Sequence, residues 1–300
     1  MKTILFLQTA IYKISYYLIR LPIYLFSILP LSWLYGIGRG ISWILFKVFR
    51  YRRQVITQNL NIVFPEATPQ QKTELENQFI HHFADMIAEI VKAFTMRREE
   101  FQRRFDIQLS DEMREEFHNQ QDIFICGAHV NNWEWAVVTA GDQLPVRTLS
   151  IYKPLSNRAM NQIILDLREK VKTVMIPMGL VLRDILAKDR ATSAYIFLSD
   201  QSTPFTMTAH WVDFFGLRSP FVPGMSTMAV RYNIPIYYFS IYKVKRGYYK
   251  ADFSQLVKEP AKYSPEEITA IYSKKLMENI LNQPACWLWT HKRWKRVIQY

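Results

Sequence analysis

The 300-residue chain has two cysteines, Cys126 and Cys286, too few and too far apart to form a disulfide framework or a cysteine-based metal cluster. A reducing, cytoplasm-facing environment is expected. HExxH, CxxC and glycine-rich phosphate loops are all missing, so metal and nucleotide chemistry have no motif to carry them. The chain also has no internal repeat and no low-complexity linker, which predicts one folded domain after its N-terminal segment. Acid is absent from the first 65 residues: Glu66 is the first carboxylate, and eight cations from Lys2 to Arg53 precede it.

What is present is apolar mass and positive charge. Apolar residues make up 49% of the chain, ample for a large core, and the formal net charge is +12. Between the early cations, Leu21 to Gly38 runs for eighteen residues without a charge, with Pro22 and Pro30 inside. As a helix this stretch would measure about 27 Å, barely the hydrocarbon thickness of a bilayer. It predicts a membrane anchor, spanning or re-entrant, rather than a buried helical hairpin, because a hairpin over residues 1–48 does not account for the missing acids. The Lys47–Arg53 cluster would lie on the cytoplasmic side beside anionic headgroups, each cation contributing on the order of 1 kcal/mol. A cleaved signal peptide is not expected, since the apolar region is long, carries cations and lacks a small-residue cleavage site. The expected division is an anchor and basic segment over residues 1–53 and a catalytic domain over 54–300.

Beyond the anchor, Thr68 to Met96 has the apolar spacing of an amphipathic helix, with Thr68 as N-cap, Pro69 at the first position and Gln71 completing a capping box. From residue 123 short apolar runs alternate with helical stretches. Strands are expected at 123–126, 148–152, 174–176, 194–199 and 234–240, and helices at 158–172 and 265–281. The fold class is therefore α/β: a mixed sheet flanked by helices, with an N-terminal membrane-anchoring helical segment.

The stretch FICGAHVNNWEW, residues 124–135, ends a strand at His129 and places Glu134 at the head of the next helix. A histidine titrating near neutrality can take a proton from a hydroxyl, and a carboxylate on its other ring nitrogen fixes the tautomer and stabilises the imidazolium. In a continuous helix five residues turn through about 140°, so His129 meets Glu134 only from the loop before the helix. Glu134 also has a purely structural reading, since Asn131 three residues earlier makes a near capping box.

The segment His129-Val130-Asn131-Asn132-Trp133-Glu134 resembles the H-x4-D/E motif of lysophospholipid acyltransferases, in the form found among bacterial lipid A late acyltransferases. The resemblance continues in order through Asn59, Leu60, Phe64 and Pro65, then Tyr152, Pro154 and Asn157, then Arg168, Asp200 and Gln201, then Phe214 to Gly216, and finally WLWTHKRWK near the end. It implies transfer of a fatty acyl group from an acyl carrier protein or coenzyme A thioester to a hydroxyl of a membrane lipid, most naturally a lipid A precursor. No cofactor is implied. His129 would be the general base, oriented by Glu134, with oxyanion donors at the start of the following helix. Asn132, Arg168, Asp200 and Gln201 would bind substrate. The setting would be the cell inner membrane, with the catalytic domain facing the cytoplasm.

The sequence departs from the family pattern after Arg168, where Glu169 to Lys172 stand in place of a common glycine. Arg168 has a phosphate-binding reading and a solvated-face reading. Asp200, ending the run AYIFLS, can orient His129, hold the acceptor or simply form a turn. His210 and His291 are alternative bases without an orienting acid as compact as that of His129, while His81, His82 and Cys126 read as structural. Trp287, Trp289 and Trp294, set among cations, read as a structural or interfacial element. Other glycolipid or aminolipid acceptors, or a silent membrane-binding protein of the same fold, are the alternatives. A nucleic-acid partner is not expected, because the excess charge lies beside the apolar anchor.

Overall fold

A computed structural model of the chain describes residues 2–168, 172–187, 190–205 and 207–298, with side chains from residue 12 onward. The departure from the family pattern after Arg168 falls mostly on residues 169–171, outside the described residues. The chain opens with α1 (Lys2–Ile28) and α2 (Leu31–Trp43), a π-helical turn at Ile44–Val48, α3 (Arg53–Val63), α4 (Pro69–Ala93) and α5 (Arg98–Arg104). Next come β1 (Phe105–Gln108), α6 (Asp111–His118), β2 (Ile123–Gly127), α7 (Trp133–Gln143), β3 (Arg147–Tyr152), α8 (Arg158–Arg168), β4 (Val174–Pro177), α9 (Val181–Ile185) and β5 (Ser193–Leu198). The last part holds the hairpin β6 (His210–Phe214) and β7 (Leu217–Phe221), α10 (Gly224–Tyr232), the hairpin β8 (Ile236–Lys245) and β9 (Tyr248–Val257), and α11 (Pro265–Asn282).

Seven strands form one mixed sheet in the order β1-β9-β8-β2-β5-β3-β4, in which every neighbouring pair is parallel except β8 and β9. β2 is buried along its whole length and β5 all but its last residue, which is why both read as unbroken apolar runs rather than alternating ones. Successive side chains feed two cores. Phe124, Cys126, Tyr195, Phe197, Ile236 and Tyr238 pack on one side, and Ile123, Ile125, Ala194, Ile196, Tyr237 and Phe239 on the other. Burial pushes the Cys126 thiol up, and its Sγ lies 3.5 Å from the Tyr237 carbonyl, a core position.

The five expected strands are all present, four of them within a residue and the fifth, β8, running five residues past its expected end, and the capping box that opens α4 is formed: Thr68 Oγ1 accepts from Gln71 N at 3.2 Å and Gln71 Oε1 from Thr68 N at 2.8 Å. Four strands carry no clear sequence signal. β1 is four residues long, β9 follows its partner through a two-residue turn, and β6 and β7 form a separate two-stranded hairpin. In that hairpin Phe215 and Gly216 both take positive φ, 55° and 74°, the type I′ geometry that joins Phe214 to Leu217. This gives the FFG triplet a backbone reason.

Among the described residues no helix is long and apolar enough to cross a membrane. The spanning anchor is thus corrected, and the reason is local. Pro30 divides the uncharged stretch between α1 and α2, and Lys13 and Arg20 interrupt α1. Both helices lie on the body of the protein instead: Tyr16 and Arg20 of α1 engage Asp166 of α8, and Lys92 Nζ of α4 donates to the carbonyls of Ser27 and Leu29 at 3.0 Å each. Their outer faces stay apolar and exposed. Ile14, Tyr17, Leu18, Leu21, Tyr24, Leu25 and Ile28 recur at helical spacing along α1, and Trp33, Ile41 and Trp43 continue the surface on α2.

Candidate active site

Sheet register builds the site. Gly127 at the end of β2 lies opposite Leu198 at the end of β5, so the residues two further along, His129 and Asp200, leave the same carboxyl edge side by side. That edge is where ligands collect in α/β sheets. Asp200 Oδ1 lies 2.6 Å from His129 Nδ1, and Oδ2 accepts from the His129 backbone N–H at 3.1 Å and from the Trp287 indole at 2.9 Å. Asp200 is buried. Burial by itself would raise its carboxyl pKa, but the charge of the His129 ring and the donations from that ring, Trp287 and the His129 backbone outweigh it and bring the group to about 2. An ionised Asp200 can only accept, so Nδ1 carries a proton, and in the neutral imidazole Nε2 is the nitrogen that holds the lone pair. Nε2 faces the Gln201 side-chain amide at 3.3 Å, and the Trp133 ring packs edge-on against the imidazole with centroids 5.0 Å apart.

Glu134 does not hold the imidazole. Both its oxygens face the guanidinium of Arg168: Nη2 lies 2.8 Å from Oε1 and 2.7 Å from Oε2, and Nε 3.1 Å from Oε2. The expected His129–Glu134 contact is therefore corrected to a His129–Asp200 contact, with a geometric reason: Glu134 already lies inside α7, turned toward α8. The same pairing occupies one edge of the Arg168 fork, while Nη1 faces the Met175 sulfur at 3.8 Å. Arg168 is neither an open phosphate clamp nor a solvated helix face.

The N-cap of α7 is Asn132 rather than Asn131. Asn132 Oδ1 accepts from Trp135 N at 3.0 Å, and its Nδ2 donates to Glu89 Oε2 at 2.8 Å. Asn131 takes a left-handed φ of 55° and donates to the Ile241 carbonyl at 2.8 Å and to Gln283 Oε1 at 2.7 Å. Asparagine tolerates that conformation better than other non-glycine residues. Both asparagines are fully buried, so Asn132 belongs to the scaffold and not to a surface that could meet substrate.

Sequence reasoning missed the C-terminal segment as part of the site. Val130 and Trp287 form an isolated antiparallel bridge, with Leu288 N donating to the His129 carbonyl at 3.1 Å and Asn131 N to that of Cys286 at 3.0 Å. Trp287, Trp289 and Trp294 are buried, which corrects their interfacial reading. His291 Nε2 accepts from Ser202 N at 3.0 Å and fixes the loop that carries Asp200 and Gln201. Burial lowers the His291 pKa to about 4, with Asp200 opposing and His129, Arg293 and Lys295 assisting. The available signal was the motif WLWTHKRWK, but nothing local ties it to residues nearly ninety positions earlier. His210 lies elsewhere, its Nδ1 2.9 Å from Thr269 Oγ1 and its Nε2 3.3 Å from Glu266. Among the described residues no group of three or more histidine, cysteine or acidic side chains is placed to hold a metal ion.

A buried carboxylate on one ring nitrogen at the carboxyl edge of a sheet is the arrangement that a general-base histidine would need. The family model for the bacterial lipid A biosynthesis acyltransferases matches residues 2–296. The chain belongs to this family. It is accordingly an acyltransferase of lipid A biosynthesis, and the family implies a lipid acceptor and an acyl donor. No individual curated protein was found to match it. Within this acyltransferase the ordered motifs converge on one edge of the sheet: His129 follows β2, the segment from Tyr152 to Asn157 follows β3, and Asp200 and Gln201 follow β5.

Proposed function

We propose that this acyltransferase moves a fatty acyl group from an acyl carrier protein or coenzyme A thioester to a hydroxyl of a lipid A precursor, with His129 as general base. The observation that carries the reading is the 2.6 Å contact between His129 Nδ1 and the buried Asp200 carboxylate. It directs the basic lone pair outward from Nε2. The acceptor O–H gives its proton to Nε2 as its oxygen attacks the thioester carbonyl. The tetrahedral intermediate then expels the thiolate, which recovers the proton from Nε2 and leaves as the thiol. Asp200 stays ionised and stabilises the transient imidazolium, the part taken by the aspartate of hydrolytic triads. No acyl-enzyme is required. Glu134 and Arg168 act as a pair that locks α7 against α8 beside the base.

The exposed apolar stripe of α1 and α2, with Arg20, Arg39, Lys47 and Arg50 also exposed, supports seating in the plane of an anionic membrane surface rather than across it. Such seating supports a reading in which the enzyme meets its lipid acceptor at the cytoplasmic face of the inner membrane. The net charge of +12 suits acidic donors and phosphorylated acceptors alike.

The test is a mass-spectrometric assay of the purified protein with both donor classes and a panel of lipid acceptors, run beside folded His129→Ala. The expected result is an acylated lipid A precursor whose formation falls roughly 10^3-fold or more in the variant. Equal product from the variant sinks the base assignment. Product on a glycolipid or aminolipid alone moves the acceptor to that class.

A further inference from the structure

Among the buried ionisable groups that the proposed mechanism leaves unused, one reaches the catalytic loop. Glu89, on α4, is fully buried, and its carboxylate accepts three hydrogen bonds from three different parts of the chain. Tyr35 Oη of α2 donates to Oε1 at 2.8 Å, while Asn132 Nδ2 and Tyr249 Oη of β9 donate to Oε2 at 2.8 and 2.7 Å. The Glu89 backbone carbonyl also accepts from the Trp135 indole at 3.1 Å, so α4 touches both Asn132 and the first turn of α7. The packing around the group is close: a Cβ at Gly247, where φ is +71°, would meet Tyr35 Oη at 2.6 Å. Burying a carboxylate without a cation in contact costs several kcal/mol. A neutral side chain of similar size would fill the space without that penalty.

What a carboxylate supplies here is direction. Burial raises the Glu89 carboxyl pKa and the hydrogen bonds from Tyr249, Tyr35 and Asn132 oppose that shift; Oε2 accepts from the NH2 end of the Asn132 amide, so the amide oxygen faces α7, where it caps Trp135 N at 3.0 Å. Asn132 lies three residues after His129, at the end of the loop that carries the imidazole. The other side of that loop is held by Asn131, through Ile241 and Gln283, and by the backbone of Leu288. Asp200 holds the loop's start through the His129 backbone N–H, and Glu89 holds its end from the α4 side. We propose that Glu89 is a positioning residue for His129, acting through Asn132 to fix the junction between the catalytic loop and α7. The inference rests on the reading of His129 as base and adds the requirement that the loop be held from the α4 side.

The test compares Glu89→Gln, Asn132→Ala, their double variant and Tyr35→Phe. The last removes a donor from Oε1 and leaves the Glu89–Asn132 bond intact. Each is assayed for kcat and KM below its melting temperature, and the downfield NMR resonance of the His129 Nδ1 proton is recorded. Glu89→Gln lets either end of its amide face Asn132 and so removes the directional constraint. Glu89→Gln and Asn132→Ala are each expected to lower kcat about tenfold with KM within about twofold, and to shift or broaden that resonance. The double variant should fall no further than the worse single one. Tyr35→Phe should keep kcat within about twofold. Wild-type kcat and an unmoved resonance in folded Glu89→Gln overturn the proposal, as does a Tyr35→Phe loss equal to that of Glu89→Gln, which would reduce the cluster to packing. If Glu89→Gln does not fold, Asn132→Ala decides in the same two directions. His129→Ala in the same assay separates the two levels: retained activity there removes the base assignment itself, whereas an inactive His129→Ala beside a normal Glu89→Gln removes the positioning inference alone.

Discussion

Two regions of this acyltransferase share a composition and differ in fate. The N-terminal helices and the C-terminal segment are both rich in tryptophan and cations and poor in acid. In the first, Trp33 and Trp43 are 65% and 61% exposed, whereas Trp287, Trp289 and Trp294 are exposed by 1% or less. The difference lies in the backbone. Residues 286–288 pair with 129–131 and need the sheet edge to satisfy their N–H and C=O groups, which draws their side chains inward against Phe214 and each other. Helices α1 and α2 satisfy their own backbones, so their outer side chains are free to meet a different solvent. One aromatic cluster thus packs behind the His129–Asp200 pair and the other stays at the surface.

The largest expected effect comes from the buried side. Asp200→Asn removes the acceptor that fixes the Nδ1–H tautomer, and kcat of the folded variant should fall on the order of 10^3- to 10^4-fold in a steady-state assay run below its lowered melting temperature. Trp287→Phe keeps the packing and removes one donor to the same carboxylate. A fall of about tenfold is expected, the scale of one hydrogen bond to a charged group. If Trp287→Phe leaves kcat unchanged, the C-terminal cluster is scaffold only and its contrast with the N-terminus narrows to burial.

Much of the buried half was legible in the sequence. Unbroken apolar runs marked β2, β3 and β5, and Thr68, Pro69 and Gln71 marked the start of α4, because these signals are local. The choice between Glu134 and Asp200 as partner for His129 was not legible. Spacing along the chain favours Glu134, five residues away, whereas the register of β2 against β5 brings Asp200 to the ring from 71 residues away. Asn131 and Asn132 are both good caps, and a left-handed φ at Asn131 decided between them. On the exposed half, the charge and apolar pattern identified the segment, but Pro30 set its geometry: two helices against the body instead of one through a bilayer.

A smaller effect separates the regions by pH. Burial holds His291 at about 4 against an ordinary 6.5, and burial, aided by Lys243, brings His82 of α4 to the same value. Each folded-state value is depressed, so the unfolded chain binds more protons between these limits. The stability each histidine contributes is complete above about pH 6.5 and is lost progressively as the pH falls toward 4. His291→Gln should flatten the pH dependence of chemical denaturation in that window by roughly 2–3 kcal/mol, leaving the share due to His82. An unchanged slope in the variant means that His291 protonates in the fold, and the tight packing of the C-terminal cluster is then overstated.

The smallest expected effect on the enzyme itself lies at the exposed surface, and it is also the most direct test of the contrast. Trp33 and Trp43 touch little of the core, so changing both to serine should alter folding stability by only about 0.5 kcal/mol per site. With detergent-dispersed substrates kcat should stay unchanged. Sedimentation with phosphatidylglycerol vesicles should weaken about tenfold, because the apolar area that enters the interface is reduced. The residual binding should fall further with added salt, since Lys47, Arg50 and Arg53 remain to attract the anionic surface and their attraction is screened. Vesicle binding equal to that of the unaltered protein would show that this face meets something other than lipid. The two tryptophan clusters would then differ in exposure but not in the solvent they were built for.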